Sequence, residues 1–297
     1  MKRCFICGKE KMAETGGYYL KCSYCGHEIS SSRPKNLFII NDLLDLGRIK
    51  KRGLLDRFKS RVTRDCGADK SLIIDFGSAS GRYLFHNKHL FNDHAGIEIT
   101  KECIEFSRKK LALNIIKRIS DLKKKKKNIS LMTFWHSMEH LPSKSIGTIL
   151  TAIEMNSKKN TILLISVPNN SSFMYKLFKE GFPYLDVNSH YHQFSARSLD
   201  LMMNKFGCKK AKNYFSFSYT FFGYLQGLLN QFNKTHNFMY YHKKRGVNNK
   251  NRTQTQMLLL YNYLLSAIFT IPSTVLSIYD YIDKPNGGVI TVSYVKA

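Results

Sequence analysis

Four of the seven cysteines stand in two matched pairs, Cys4 and Cys7 in "CFIC" and Cys22 and Cys25 in "CSYC", and each pair is followed by glycine. Four soft thiolates suit one tetrahedral Zn2+, and the interval between the pairs is long enough for a hairpin to fold one knuckle over the other. With all four positions filled by cysteine no coordination site is left for a substrate, so the ion is expected to stabilise and not to catalyse. A rubredoxin-like iron site and a pair of disulfides are the alternatives, and His27 is a substitute ligand. Cys66, Cys103 and Cys208 are isolated and read as ordinary buried thiols.

A second set of chemical residues follows a short apolar run. The stretch "LIIDFGSASG" at 72–81 carries Asp75 and then a bend of Gly77, Ser78, Ala79 and Gly81. Such a bend lets a ligand approach the backbone, and the helix behind it offers unpaired amides to a negative group. Glu98 closes the next strand-like segment, "GIEIT", where an acid can accept two hydrogen bonds from ribose hydroxyls. Bend, helix and spaced acid together imply a cofactor that contains adenosine. No Lys-Ser or Lys-Thr follows the bend, which argues against a phosphate-gripping ATPase loop.

Alternating elements must position these residues. Apolar runs at 72–76, around 97, at 128–134 and at 161–167 alternate with helical patterns such as Ile146, Ile149, Leu150 and Ile153. Strands without polar alternation are buried on both faces, which implies a parallel sheet between helices, with ligands at the carboxyl ends of its strands. Ahead of them, Leu43, Leu44, Leu46, Leu54, Leu55 and Phe58 are expected on one surface of a helical connector.

The 297 residues are enough for a large core plus an appendage, and 43% apolar content marks a folded chain. A formal charge of +26 suits a polyanionic partner, whether nucleic acid, an anionic membrane surface or a phosphorylated substrate. Much of that excess is lysine spread along the chain, which biased composition produces without function; the densest run, Lys123 to Lys127, reads as a solvated loop. Cysteines and charges interrupt the first residues where a secretory signal needs an apolar core, so a cytoplasmic location is expected.

From about residue 70 to its end the chain resembles the class I S-adenosylmethionine-dependent methyltransferases, in the branch related to the ubiquinone and sugar methyltransferases. The resemblance rests on "DFGSASG", on Glu98 in "GIEIT", on "WHSMEHLP" at 135–142, on "SVPN" at 166–169 and on "HYHQFSARSL" at 190–199. It implies an α/β, Rossmann-like seven-stranded mixed sheet with an antiparallel edge hairpin, here behind an N-terminal zinc ribbon. The expected divisions are a ribbon at 1–32, a helical connector at 33–69 and a methyltransferase domain at 70–297. S-adenosylmethionine is then expected at Asp75, Gly77, Ser78, Ala79, Gly81, Glu98, Ile99, Asp121, Trp135 and His136. The candidate bases are His136, His190 and His192. Glu139 and His140 are read as loop-fixing, and Asn169 and Asn170 emerge after the next strand. Ala79 stands where the family often has glycine, and "NIIKRISDLKKKKKN" lacks the usual glycine-aspartate signal, which leaves Asp121 or Ser120 as the adenine-side candidate.

The function implied is methyl transfer to a small-molecule acceptor such as a sugar, an isoprenoid or a lipid-linked intermediate. The alternative is a zinc-ribbon RNA methyltransferase, or a nucleic-acid-binding module with a degenerate enzyme core. Strands expected at 212–219 and 287–296 close the sheet edge. Between them, residues 253–279 carry no charge and exceed the roughly 20 residues that cross a bilayer. Asn262 and Pro272 interrupt this stretch and the last strand must return to the sheet. A helical cover over the active site, at about 220–280, is therefore expected instead of a span, with a cover that touches the membrane as the variant.

Overall fold

The computed structural model describes residues 3–15, 17–34, 44–118, 120–121, 129–245, 252–282 and 287–297. At the amino terminus the strands β1 (Met12–Thr15), β2 (Tyr19–Cys22) and β3 (Glu28–Ser30) form antiparallel pairs, and the helices α1 (Leu46–Lys50) and α2 (Leu54–Asp65) follow. The alternating part runs β4 (Leu72–Phe76), α3 (Arg82–Asn87), β5 (Asp93–Ile97), α4 (Lys101–Leu111), β6 (Ile115–Ile116) and β7 (Ile129–Trp135). After a single turn at Met138–His140 come α5 (Ser143–Asn156), β8 (Ile162–Pro168), α6 (Phe173–Phe178), β9 (His192–Gln193), α7 (Ala196–Lys205) and β10 (Cys208–Asn213). The remaining elements are α8 (Phe217–Phe232), α9 (Phe238–Arg245), α10 (Arg252–Ile282) and β11 (Val289–Lys296).

Seven strands pair in the order β10-β11-β8-β7-β4-β5-β6. The pairs from β8 across to β6 are parallel, and β10 runs antiparallel to β11 at the edge, as the mixed-sheet expectation required. Every residue of β4, β7 and β8 is buried, which is why these strands show no polar alternation. The expected edge strand at 212–219 is displaced: β10 ends at Asn213 because Ser216 caps α8, its Oγ accepting from the Tyr219 amide at 3.2 Å.

The chain divides into two compact units. One comprises Met1–Pro168, Asp186–Tyr214 and Ile290–Ala297; the other comprises Asn169–Leu185 and Phe215–Val289. Residues 1–32, where the ribbon is expected, fall within the first unit. Its strand β3 has an edge that needs a partner, and β9 supplies one, pairing Glu28 with Gln193 and Ile29 with His192. Cys4, Ile6 and Met12 join one buried cluster with Leu72, Phe134 and Leu163. In the connector, Phe58 is buried while Leu54 and Leu55 are exposed, so these three do not share a face. Leu43 and the run Lys123 to Lys127 lie outside the described residues.

Candidate active site

At the carboxyl end of β4 the sheet order reverses, with β5 on one side and β7 on the other, and this is where open α/β sheets hold ligands. The bend there is built from left-handed residues: Gly77 at φ 67°, Ala79 at 47° and Gly81 at 76°. A Cβ on Gly77 would come within 2.7 Å of the Ser137 Cβ, so bulk is excluded as well as conformation constrained. Ala79 bears a left-handed cost of about 1–2 kcal/mol. Glu98 offsets it: Oε2 accepts from the Ala79 amide at 2.8 Å, and Oε1 accepts from Ile99 and Thr100 amides at 2.7 and 2.8 Å. An ionised carboxyl has about four acceptor sites, so three amides leave one. One acceptor position of the Glu98 carboxyl therefore remains beyond these three backbone bonds. Beside it the Ile99 side chain is 81% exposed, an apolar surface at the mouth of the bend.

Asp75 lies beneath the bend, 3% exposed, with the Thr133 hydroxyl donating to Oδ1 at 2.6 Å. Burial pushes its carboxyl up to about 7, against the opposing effects of the Thr133 hydrogen bond and the Lys59 charge. The Lys59 ammonium, on α2, sits 4.9 Å from the Trp135 ring centroid, and burial lowers its pKa. Tyr83 packs 5.4 Å from Trp135, and its hydroxyl is 2.7 Å from the Thr63 Oγ1. Arg82 fastens α2 to α3 through Asp56 at 2.6 and 2.9 Å. Lys59, Thr63, Tyr83 and Thr133 were not picked out as site residues from the sequence. For Lys59 the one available signal was its helical position between the inward-facing Phe58 and Val62.

The segment after β7 supplies the other half. His136 takes φ 52°, donates its amide to the Ser166 carbonyl at 2.9 Å, and holds Nδ1 3.3 Å from Glu139 Oε1. Glu139 is 1% exposed. Burial alone would raise its carboxyl, but the His136 hydrogen bond and the His140, His136 and His190 charges hold it down to about 2. His140 packs edge-on to His190 with centroids 4.6 Å apart, and burial presses His190 down to about 4. Glu139, His140 and His190 bring one ligand atom each within 4.8 Å of one another, a set able to hold a metal ion.

Three expected residues serve elsewhere. His192 is fully buried, with Nδ1 2.9 Å from His27 Nε2 and Nε2 3.5 Å from Ser143 Oγ. Nδ1 thus faces the knuckle and Nε2 faces the start of α5, so both ring nitrogens are engaged within the fold and His192 is not placed as a base for substrate. Asp121 closes on its own loop, accepting from the Arg118 amide at 3.1 Å and the Ser120 hydroxyl at 3.3 Å. Asn169 belongs to the second unit, where its Oδ1 accepts from the Ser171 amide and hydroxyl at 3.0 and 2.7 Å.

Residues 48–213 match the family model described as a methyltransferase domain. The chain belongs to that family. The match takes in the bend, Glu98 and the whole 135–142 segment. Among solved structures, a SAM-dependent methyltransferase from Archaeoglobus fulgidus is 18% identical, with 84% of this chain and 98% of that chain covered and a TM-score of 0.48. An S-adenosylmethionine-dependent methyltransferase from Clostridium acetobutylicum is 10% identical over 58% of this chain and 87% of that one, TM-score 0.44. The SAH-bound magnesium protoporphyrin IX methyltransferase from Synechocystis is 12% identical over 61% and 82%, TM-score 0.42. No curated protein matches the sequence.

This methyltransferase uses S-adenosylmethionine, and the site suits that group. Ser78 Oγ and Ser137 Oγ are buried with no hydrogen-bond partner among the described residues, beside a bend free of bulk, one remaining Glu98 acceptor site and the exposed Ile99. At the knuckle, the sulfurs of Cys4 and Cys25 are 3.7 Å apart and those of Cys7 and Cys22 3.6 Å. Zn–S bonds of about 2.3 Å at tetrahedral angles require about 3.8 Å between sulfurs, whereas a disulfide requires about 2.05 Å. All four Sγ atoms lie within 4.8 Å of one another. The hydrogen bond from Cys25 and the neighbouring His27 hold the Cys4 thiol down, while that same bond and burial push Cys25 up and burial pushes Cys7 up.

Proposed function

We propose that this methyltransferase acts on a small-molecule acceptor of the sugar, isoprenoid or lipid-linked class, with His136 as its base. The observation that carries the reading is the pairing of His136 Nδ1 with the buried Glu139 at 3.3 Å, one residue beyond the end of β7. A carboxylate held ionised on Nδ1 fixes the tautomer that donates there, leaves Nε2 to take the acceptor's proton, and stabilises the imidazolium that results. S-adenosylmethionine, when bound, supplies a methyl carbon on a positively charged sulfur. Glu98 and the Ala79 amide it grips would hold the ribose side, Ile99 would cover the adenine side, and Trp135 with Tyr83 would keep water from the reacting end. We further propose that Cys4, Cys7, Cys22 and Cys25 hold one structural Zn2+.

Incubating the protein with methyl-labelled S-adenosylmethionine and separate lipid, sugar and RNA fractions tests the reading. Label should enter a small molecule, and His136→Ala should lose turnover while still binding the cofactor by calorimetry. Label entering RNA alone, or undiminished turnover in His136→Ala, would overturn it.

A further inference from the structure

In the second unit, α8 and α10 lie antiparallel. Tyr224 donates to Asp280 at 2.9 Å, and Asn233 and Asn262 exchange amide hydrogen bonds at 2.9 and 3.0 Å. The polarity of α10 is the reverse of that in a helix on a water-soluble core. Among the described residues its buried positions are Thr255, Asn262, Ser273, Ser277 and Asp280. Leu260, Leu264, Ile268, Ile271, Val275 and Ile278 recur at steps of three or four, so they share one face, and they are between 46% and 74% exposed. Burying leucine and isoleucine drives folding in water, and here that face is turned outward. Polar contacts between helices beneath an apolar exterior are the arrangement bilayers favour.

The hydroxyls on α10 obey the same solvent logic. Ser266, Thr270, Thr274 and Ser277 each donate to the carbonyl four residues earlier, at 2.7, 2.8, 2.8 and 2.6 Å. These donors are therefore satisfied without water, as hydrocarbon requires. Tyr261, Tyr263, Tyr279 and Tyr281 are exposed toward the two ends of the apolar face, where phenols meet headgroups. At the end where α8 stops and α10 begins, the sequence carries Lys234, Lys243, Lys244, Arg245, Lys250 and Arg252 and no acid over 234–252. Driving that end through a bilayer would take all six charges across hydrocarbon, whereas lying in the interface sets them against anionic headgroups.

We propose that the α8–α10 pair is a membrane-docking surface that lies in the plane of an anionic bilayer, with the Leu260 to Ile278 face in the acyl boundary. α10 spans about 46 Å at 1.5 Å per residue, enough for an extended in-plane contact. This does not depend on the acceptor assigned above, although a membrane-borne acceptor accords with it.

Flotation of the full chain with phosphatidylcholine vesicles, with and without phosphatidylglycerol, tests the docking. The parent should float with both and more strongly with the anionic ones. Ile268→Ser, Ile271→Ser and Val275→Ser together should cut partition at least about 100-fold at an unchanged thermal midpoint. Lys243→Glu, Lys244→Glu and Arg245→Glu together should abolish the anionic preference. Independently, Ile271→Trp should be quenched by brominated acyl chains beyond the parent, whose single tryptophan is Trp135. A parent that stays at the bottom of the gradient with both vesicles, absence of that added quenching, or a stable dimer that buries Ile271 without lipid would overturn the proposal.

Discussion

Replacing Asp75 by asparagine removes one ionisation and keeps both the size of the side chain and the acceptor for Thr133. In the folded chain burial holds the Asp75 carboxyl at about 7, against about 3.9 in an unfolded chain. Between those values the native protein keeps a proton that the unfolded one has lost, so stability falls as pH rises from about 4 to about 7. Three units at 1.36 kcal/mol each amount to about 4 kcal/mol, of which roughly 2–3 kcal/mol falls between pH 5 and pH 8. His190 works in the opposite sense: burial holds it at about 4, below its ordinary value, so its contribution is present at neutral pH and is lost as pH falls toward 4. The measured quantity is therefore the difference between parent and Asp75→Asn, in which the histidine contribution cancels. Urea unfolding of both proteins at pH 5 and pH 8 without cofactor gives it directly. The parent should lose roughly 2–3 kcal/mol more than the variant over that interval. Parallel pH dependences would refute the reasoning, because Asp75 would then ionise in the fold as easily as in the unfolded chain.

Glu98→Ala should weaken S-adenosylmethionine binding by about 30-fold or more in calorimetry and lower the thermal midpoint, since three backbone amides lose a charged acceptor. Glu98→Gln should do little better, because a carboxamide must turn a donor toward one of those amides. Ile99→Asp should raise the cofactor Kd while leaving stability nearly unchanged, as the side chain is mostly exposed. His136→Ala should lower turnover by about 100-fold or more with cofactor affinity retained, read by labelled-methyl transfer beside calorimetry. Elemental analysis should find one Zn2+ per chain, and chelation should lower the midpoint of the whole first unit, not merely release a tail, because β3 carries β9.

The strands were legible wherever burial is two-sided. The apolar runs at 72–76 and 128–134 become β4 and β7 to within a residue, since nothing but a central strand tolerates such a run beside a glycine bend. The cysteine spacing was legible because the four thiols meet the geometry through their own hairpin. Interactions between distant short pieces were not legible. β9 is two residues long and has no period to detect, yet it joins the knuckle sheet and takes His192 out of the set of bases. Lys59 lay among arginines and lysines that compose a solvated helix face by pattern, and only packing shows it turned toward Trp135. In α10 the uncharged run 253–279 was visible and its direction was not: a sequence states which residues alternate, while the polar contacts Tyr224–Asp280 and Asn233–Asn262 decide which face turns inward.

The β3–β9 pairing changes what the cysteine knuckle can do for the enzyme. His190 precedes β9 by two residues, its carbonyl accepts from the Tyr19 hydroxyl of β2 at 3.5 Å, and Gln193 Nε2 reaches both that hydroxyl and His190 Nδ1, at 3.4 and 3.2 Å. Ser195 caps α7 and at the same time donates to the Cys25 carbonyl at 2.6 Å. The imidazole that faces Glu139 and His140 is thus held from behind by the sheet that carries the cysteines. A four-thiolate site leaves no ligand position for chemistry, but it can still bear on chemistry through position. Loosening the knuckle should therefore free β9 and with it His190, whose ring packs on His140 beside Glu139.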